Sequence, residues 1–315
     1  MANLSKIHKF FAISPHVEMI ARRLYWNNVK RLSGQAKKQK KKLISAVSTP
    51  IAYDDIGTFL KENGVTEGRL LLVHSAFAPL KGRGKTPNQV LEYLFELIGS
   101  SGTLAMPAMV KYKNEIKPED YLTADLSGEV FHYDVSKSGV KTGVLPLMLH
   151  KRKGSIRSRY PINTMVAEGP LAKTLFEDEF KGKSPLACGM NSAWKKCIDH
   201  DALIVGLGTD LTHSLTAIHV AEDSLDSEWP IKNWYIEKTF RITDGDFEST
   251  KVLKERAPKW GALHFAERTL CKNLLEAHIL KSTVIDDIQV EILSAKDLIR
   301  FLEQRNTKGY PYFWV

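Results

Sequence analysis

The chain has 315 residues, which suits one large α/β core or two closely packed subdomains and excludes repeat arrays and mini-proteins. Hydrophobic residues make up 43% and charged residues 26%, so the composition excludes a disordered chain and predicts a soluble globule. The net charge is +9, yet residues 1–44 hold eleven Lys or Arg against one acid, Glu18. Residues 45–315 hold 34 basic and 35 acidic residues, so the basic charge belongs to the N-terminal segment alone.

This basic segment is predicted to be an arm (1–44) that precedes a single domain (45–315). Apolar residues at helical spacing over 15–33 predict an amphipathic helix, and the lysine run Lys37–Lys42 predicts a charged linker. Such an arm could be a solvated tail, could bind an anionic membrane surface or nucleic acid, or could lie at a homo-oligomer interface. These alternatives stay open at this point.

The sequence predicts neither a membrane-spanning segment nor a secretion signal. No apolar stretch approaches the roughly 20 residues that span a bilayer, and no secretion signal is recognisable. The three cysteines are odd in number and none forms a CxxC pair, so neither a disulfide framework nor a zinc site is expected. We therefore expect a cytoplasmic protein, with a peripheral position at the inner face of the membrane as the alternative.

The first half of the domain begins with alternating helix and strand signals. A helical pattern over Ile51–Asn63 leads to the apolar run Leu70–Val73, which predicts a buried strand ending at His74. The glycine-rich basic loop Lys81–Lys85 follows. Thr86, Pro87 and Gln89 form a capping box with proline at the first helical position, and so predict a helix that reaches Ile98.

Further strands and helices alternate in the second half. Strands are predicted over Gly102–Pro107 and Ala202–Gly208, and a helix over Leu215–Ser224. Trp234–Thr243 predicts a strand, an Asp-Gly-Asp turn follows, and the segment to Glu255 fits a strand or a helix, so this region could form an antiparallel edge of the sheet. The alternation favours a layered α/β fold with a central, largely parallel or mixed sheet flanked by helices. His74, Pro107 and Gly208 would then meet at the carboxyl edge of the sheet, where such folds bind ligands.

A candidate proton-handling group follows the third strand. The three-residue spacing of Thr216, His219 and Glu222 puts these side chains on one face of a helix. A carboxylate bonded to one ring nitrogen would set the tautomer of the histidine and raise its basicity, as a general base requires. His264 and Glu267 repeat the spacing, and a simple surface pair is the alternative for both, but the position after a buried strand favours His219.

The Lys81–Lys85 loop offers three cations and flexible backbone amides before a helix, which suits a phosphate or pyrophosphate; an exposed basic loop is the alternative. It is not a Walker loop. Metal is not expected, because the His-to-Glu order differs from that of carboxylate-bridged di-metal sites. No GxSxG elbow occurs and the cysteines lack a nucleophile signature, so a covalent mechanism is not indicated.

Taken together, these motifs resemble the aminoglycoside 3-N-acetyltransferase family, which has its own α/β fold, distinct from the GNAT acetyltransferases. The resemblance covers most of residues 55–300. Its motifs are, in order, Leu72-Val73-His74-Ser75 with Gly82 downstream, Gly102-Thr103-Leu104-Ala105-Met106-Pro107, Arg157-Ser158-Arg159-Tyr160-Pro161 with Thr164, Ser184-Pro185 with Ser192, and Gly206-Leu207-Gly208 leading to Thr216, His219 and Glu222.

The resemblance implies direct transfer of an acetyl group from acetyl-CoA to an amine of an amino sugar. His219 would be the general base, supported by Glu222 and by a later carboxylate, for which Glu255 is the best match and Glu248 the alternative. Thr216 would lie near the thioester. The other residues that the resemblance implies for coenzyme binding are His74, Ser75, Ala76, Phe77, Lys81, Arg83, Lys85 and Pro107.

Departures from the family pattern bear on the acceptor. The family usually has other residues at the positions of Ala76-Phe77, Ala108 and Tyr160. The domain over residues 45–315 has a net charge of −1, which gives no sign of an acidic cleft for a polycationic acceptor. We therefore expect an amino sugar other than a drug, such as a nucleotide-linked or surface-polysaccharide sugar. The alternatives are aminoglycoside 3-N-acetylation with antibiotic resistance, and a non-catalytic binding module that uses the basic arm.

Overall fold

A computed structural model describes residues 10–30, 49–126 and 128–315. The lysine run Lys37–Lys42 lies outside the described residues, so the division between arm and domain stays a prediction. The helices are α1 Pro15–Asn27, α2 Tyr53–Glu62, α3 Pro87–Ile98, α4 Val144–His150, α5 Ala172–Phe176, α6 Ala193–Asp199, α7 His219–Asp223, α8 Glu267–Glu276 and α9 Ala295–Glu303. The strands are β1 Leu70–Ser75, β2 Thr103–Pro107, β3 Val130–Asp134, β4 Ser155–Arg157, β5 Met165–Glu168, β6 Leu203–Leu207, β7 Tyr235–Asp244, β8 Phe247–Arg256, β9 Lys281–Ile285 and β10 Ile288–Ser294.

Seven strands form the central sheet, in the order β4-β5-β2-β1-β6-β10-β9. Only β2, β1 and β6 run parallel to one another; every other pairing in this sheet is antiparallel. The sheet is therefore mixed rather than largely parallel. One cause is the β9–β10 hairpin, whose turn residues Asp286 and Asp287 adopt positive φ, because a short turn can join only antiparallel neighbours.

The predicted hairpin around the Asp-Gly-Asp turn is present as β7 and β8, paired over ten residues. Gly245 in the turn has φ +60°. The expectation that this hairpin is an edge of the main sheet is wrong, because β7 pairs in parallel with β3 to form a separate three-stranded sheet, β3-β7-β8. This second sheet carries Glu255 and Arg256 at the end of β8.

Two hydrophobic clusters cover the two faces of the central sheet, as the alternation of side chains along β1 shows. Leu71 and Val73 pack in a cluster with α2, α3 and α4, whereas Leu70 and Leu72 pack in the other with α6, α8, α9 and the second sheet. Burial on both faces explains why this strand is a continuous apolar run. The capping box at Thr86 and Gln89 is also formed, and α3 begins at Pro87 as expected.

Helix α1, the described part of the predicted arm, packs against the body. Met19 and Glu18 are fully buried. The Glu18 carboxylate accepts hydrogen bonds from the backbone N–H groups of Arg268 and Thr269 at 2.9 and 3.0 Å, and from the Thr269 hydroxyl at 3.0 Å. It therefore satisfies donors of the first turn of α8, which has no side-chain cap of its own. Among the described residues, no helix has the length and apolarity needed to cross a membrane.

Replacement of Glu18 by alanine should lower the free energy of unfolding by about 2 to 3 kcal/mol, because buried N–H donors of α8 would lose a charged acceptor. Urea unfolding followed by circular dichroism measures this change. Ile20→Ala is the matched control, since Ile20 is exposed on the same helix and should change stability by no more than about 0.5 kcal/mol. Equal stability of the two variants would contradict the capping role.

Candidate active site

The carboxyl ends of β1, β2 and β6 meet at one edge of the central sheet, as predicted. His74 of β1 pairs with Gly206 of β6, and β1 also pairs in parallel with β2, which ends at Pro107. Gly208 has φ +71°, and a Cβ there would lie 2.4 Å from the Ala76 carbonyl oxygen, so only glycine fits this close approach. The edge is therefore built from tightly packed backbone.

A small cavity of about 110 Å³, the rim cavity, opens at this edge. It contains three predicted coenzyme residues and is lined by Val73, His74, Ser75, Pro107, Thr142, Pro146, Thr209 and Ser214. Burial lowers the pKa of His74 to about 4, so its ring is neutral at physiological pH. The His74 Nε2 atom is buried and has no hydrogen-bond partner among the described residues. His74 therefore lines the rim cavity as a neutral, buried ring.

The Lys81–Lys85 loop does not present three free cations, which departs from the sequence-based expectation. The Arg83 side chain is only 5% exposed and its Nε atom donates to the Thr49 carbonyl at 2.8 Å, so it holds the segment before α2. The Lys85 ammonium lies over the rings of Tyr53 and Tyr93. Lys81 remains exposed. Coenzyme binding by Lys81 and Lys85 stays a prediction, whereas Arg83 is committed to the fold.

Two other predicted coenzyme residues, Ala76 and Phe77, follow β1 directly. The Ala76 N–H donates to the Leu207 carbonyl at 3.0 Å, which ties the loop to the end of β6. Phe77 packs against the hydrophobic cluster that contains α2 and α3. The two residues therefore shape the loop after β1 mainly through backbone and packing, and their contact with a coenzyme stays a prediction.

The predicted histidine and carboxylate form a bonded pair at the start of α7. His219 Nδ1 donates to Glu222 Oε2 at 2.8 Å, and Glu222 is 2% exposed. Because a carboxylate can only accept, this bond puts the proton on Nδ1 and leaves Nε2 as the basic nitrogen of the neutral ring. Thr216 lies just before, in a short 3₁₀ turn rather than on α7 itself, with its hydroxyl 3.3 Å from the Ser214 carbonyl. Such a pair can take up a proton at Nε2 of the imidazole.

Two further residues, which the sequence analysis did not indicate, belong to the hydrogen-bond network of this pair. The Tyr312 hydroxyl donates to Glu222 Oε1 at 2.6 Å, and the Arg256 guanidinium donates to the Tyr312 hydroxyl. Both oxygens of Glu222 therefore have partners, which fixes the carboxylate and through it the imidazole ring. Tyr312 is 90 residues from Glu222 in sequence, and no local motif marks it.

The pH dependence of catalysis should reflect this environment. Burial and, next, the charge of Arg256 lower the pKa of His219, while Glu222 opposes the shift. A lowered pKa keeps the basic, neutral ring dominant at neutral pH, so the acidic limb of kcat/KM should lie below about pH 6.5. In Arg256→Gln the limb should move to higher pH, since a positive charge near the ring is lost. A pH–rate profile of both proteins checks this, and a limb that stays in place or moves to lower pH would contradict it.

Glu255 and Glu248 lie at opposite ends of β8. Glu255 lines a cavity of about 70 Å³ together with His219, Glu222 and Asp223, and it forms an ion pair with Lys238. Glu248 is paired with Arg241 near the hairpin turn and is half exposed. The structure thus brings Glu255, and not Glu248, to the histidine pair. A catalytic role for Glu255 stays a prediction.

A larger cavity of about 440 Å³, the main cavity, also borders His219. Its other polar lining residues include Thr216, Arg256 and Glu267, and Ser214 is shared with the rim cavity. Ser214, in the segment that leads to His219, therefore lines both cavities. The remaining lining residues are Arg22, Trp26, Ile116, Pro118, Tyr121, Thr212, His213, Leu215, Ile218, Gly261, Ala262, Phe265, Leu270 and Cys271.

The second HxxE motif does not form a matching pair. His264 Nδ1 donates to the Phe313 carbonyl at 2.9 Å, whereas Glu267 bonds His213 at 2.6 Å and forms an ion pair with Arg22. Of the two motifs, only the first forms a bonded pair of its own histidine and carboxylate. Across the described ranges, no cluster of three or more His, Cys, Asp or Glu side chains is arranged to hold a metal ion.

Comparisons with known proteins agree on one family. A model of the family described as "Aminoglycoside 3-N-acetyltransferase" matches residues 72–306. "Aminoglycoside N(3)-acetyltransferase III" of Serratia marcescens is 30% identical over 168 residues, which are 50% of this chain and 59% of that protein. The chain thus matches less than two thirds of that relative's length.

Solved structures share the fold. The crystal structure of aminoglycoside acetyltransferase AAC(3)-IIb has a TM-score of 0.65 and 22% identity, covering 83% of this chain and 100% of that chain. The structure of AAC-IIIb, binary with CoASH, has a TM-score of 0.63 and 21% identity, and the match covers 81% of this chain and 97% of that chain. With the family match extending over well more than half of the sequence, the chain belongs to the aminoglycoside 3-N-acetyltransferase family.

Proposed function

We propose that this protein is an acetyl-CoA-dependent N-acetyltransferase that transfers an acetyl group directly from the coenzyme to an amine of an amino sugar. The observation that carries the proposal is the His219–Glu222 pair, which borders a cavity of about 440 Å³ next to the rim of the sheet. Membership of the family and the CoASH form of AAC-IIIb support the coenzyme.

The rim cavity is suited to the thioester end of the coenzyme. Its lining includes the hydroxyl side chains of Ser75, Thr142 and Ser214, of which Thr142 donates to the Pro107 carbonyl at 2.6 Å and Ser214 to the Asp210 carbonyl at 3.2 Å. Thr216 lines the main cavity and lies two residues after Ser214, which lines both cavities. These residues would hold acetyl-CoA, which supplies an activated acyl group and a good leaving thiol.

His219 has the protonation state that the reaction needs. Its Nε2 atom takes a proton from the ammonium of the acceptor, and the freed amine attacks the thioester carbonyl to form a C–N bond. The C–S bond breaks as the tetrahedral intermediate collapses, the nitrogen gives up its second proton, the thiolate takes up one proton and leaves as CoASH, and the remaining proton passes from the His219 imidazolium to solvent. Backbone N–H groups or the Thr216 hydroxyl would stabilise the oxyanion. All three cysteines are buried with raised thiol pKa values, which supports transfer without a cysteine acyl-enzyme.

Aminoglycosides are the first acceptor class that we propose, with acetylation at the 3-amino group. The names of the relatives favour them over the other amino sugars that we expected from the sequence. A second candidate is an amino sugar that carries an anionic group, such as a nucleotide-linked sugar. It is favoured by the guanidinium groups of Arg22 and Arg256 in the main cavity, where Glu267 is the carboxylate of the lining.

The test is a two-stage measurement on the full chain. Isothermal titration with acetyl-CoA should give micromolar binding, roughly −8 kcal/mol. Release of CoASH is then measured with sisomicin, with glucosamine and with a nucleoside-diphosphate amino sugar as acceptors. Turnover with sisomicin supports the first candidate, and turnover with the nucleotide-linked sugar alone supports the second. Absence of coenzyme binding and of turnover with every acceptor would overturn the proposal and favour a binding module. Membrane contact of the arm and homo-oligomerisation stay predictions.

A further inference from the structure

Helix α1 lines the main cavity although it lies outside the family match. The match begins at residue 72, whereas α1 ends at Asn27. Two side chains of α1, Arg22 and Trp26, are among those that line the cavity next to His219. An element that precedes the matched region therefore shapes the space beside the general base.

Three contacts hold α1 in this position. Glu18 bonds the first turn of α8 as described, and Arg22 donates to the Gly261 carbonyl at 3.1 Å and forms an ion pair with Glu267. Gly261 belongs to the π-helical turn Trp260–His264, which directly follows β8 and the loop after Arg256. The helix is thus bonded to the same segments that carry the catalytic network.

The inner surface of α1 offers groups that recognise a sugar. Trp26 stacks on Tyr121, with ring centroids 5.5 Å apart and planes at 20°, and both side chains line the main cavity. Aromatic rings pack against the apolar C–H faces of sugar rings. The Arg22 guanidinium bonds Gly261 and Glu267 and so keeps α1, with Trp26, at the cavity.

The position of these groups indicates the acceptor rather than the coenzyme. The rim cavity, which holds the predicted coenzyme residues His74, Ser75 and Pro107, is lined by residues from 73–214 and by none from α1. The main cavity shares Ser214 with the rim cavity and is also lined by His219 and Trp26.

We propose that α1 is part of the active site, with Trp26 binding the portion of the amino sugar that is remote from the reacting amine and Arg22 holding the helix in position. This inference rests on the proposed acetyltransferase function and deepens it. Trp26 is then a residue that determines acceptor specificity, and α1 contributes directly to acceptor binding.

Trp26→Ala in the full chain tests this inference. With an acceptor that the wild-type protein acetylates, we expect the KM for the acceptor to rise about tenfold, while the KM for acetyl-CoA changes less than about twofold. Tyr121→Leu, which removes the other ring of the stack from a different segment, should raise the same KM. Leu24→Ala is the matched control, since Leu24 is 59% exposed on the same helix and does not line the cavity. Circular dichroism shows whether each variant is folded.

The outcomes separate the two proposals. A selective rise in the acceptor KM in Trp26→Ala and Tyr121→Leu, with Leu24→Ala unchanged, supports the inference. An unchanged acceptor KM in folded variants overturns it and leaves the acetyltransferase function intact, as does a rise in the KM for acetyl-CoA alone. A wild-type protein that acetylates no acceptor would overturn the proposed function and this inference together.

Discussion

Replacing His219 by alanine should lower kcat by about 10²- to 10⁴-fold, because the acceptor ammonium would lose the group that takes its proton. The affinity for acetyl-CoA should be nearly unchanged, since the coenzyme is assigned to the rim cavity and His219 is not among its lining residues. Steady-state release of CoASH and isothermal titration with acetyl-CoA measure the two quantities. The expected loss lies in the chemical step and not in binding.

His264→Ala is the control for this change, as it removes the histidine of the second HxxE motif. His264 bonds the Phe313 carbonyl and is not a lining residue of the main cavity, so we expect kcat within a few-fold of the wild-type value in the folded variant. Wild-type turnover in His219→Ala would remove this residue from the mechanism. An equal loss in both variants would indicate a structural effect.

Glu222→Gln should produce the second largest loss, roughly 10²- to 10⁴-fold in kcat, because an amide no longer selects the imidazole tautomer with the proton on Nδ1. The side chain keeps its size, so the network with Tyr312 retains its packing and the protein should remain folded. The KM for acetyl-CoA should change little. Steady-state kinetics with both substrates varied separates these effects.

Glu248→Gln makes the same chemical change at the far end of β8, where the side chain is paired with Arg241 and half exposed. It should leave kcat within about twofold, since surface ion pairs contribute little. The kcat of Tyr312→Phe should lie between those of Glu222→Gln and Glu248→Gln. This substitution removes the bond to Glu222 Oε1 and leaves the bond between Glu222 and His219 in place. A Glu222→Gln variant as active as Glu248→Gln would argue against the dyad.

The predicted elements of the sheet agree with the structure because their signals are local. Leu70–Val73 is a continuous apolar run, and the observed strand is Leu70–Ser75; the capping box at Thr86 marks the start of α3. The directions and neighbours of β5, β9 and β10 were not predicted, since strand pairing depends on distant segments that compete for the same edge.

The histidine pair was found because its two members are three residues apart, within the reach of one helical turn. Its partners Tyr312 and Arg256 were missed, since they come from the C-terminal segment and from the end of β8. Arg83 was expected to be an available cation of the loop, but its Nε atom bonds the Thr49 carbonyl. The loop sequence carries no sign of that partner.

The sequence by itself determined the fold class, the family, and the residues that short-range periodicity places together, above all His219 and Glu222. Only the tertiary structure showed that Glu255 rather than Glu248 lines a cavity with this pair, that Tyr312 bonds Glu222, and that Glu18 anchors α1 beside the main cavity. The physical reason is the same in each case. Local propensity and spacing act over a few residues, whereas burial and hydrogen bonding join distant segments, such as Glu18 and Thr269, which are 251 residues apart.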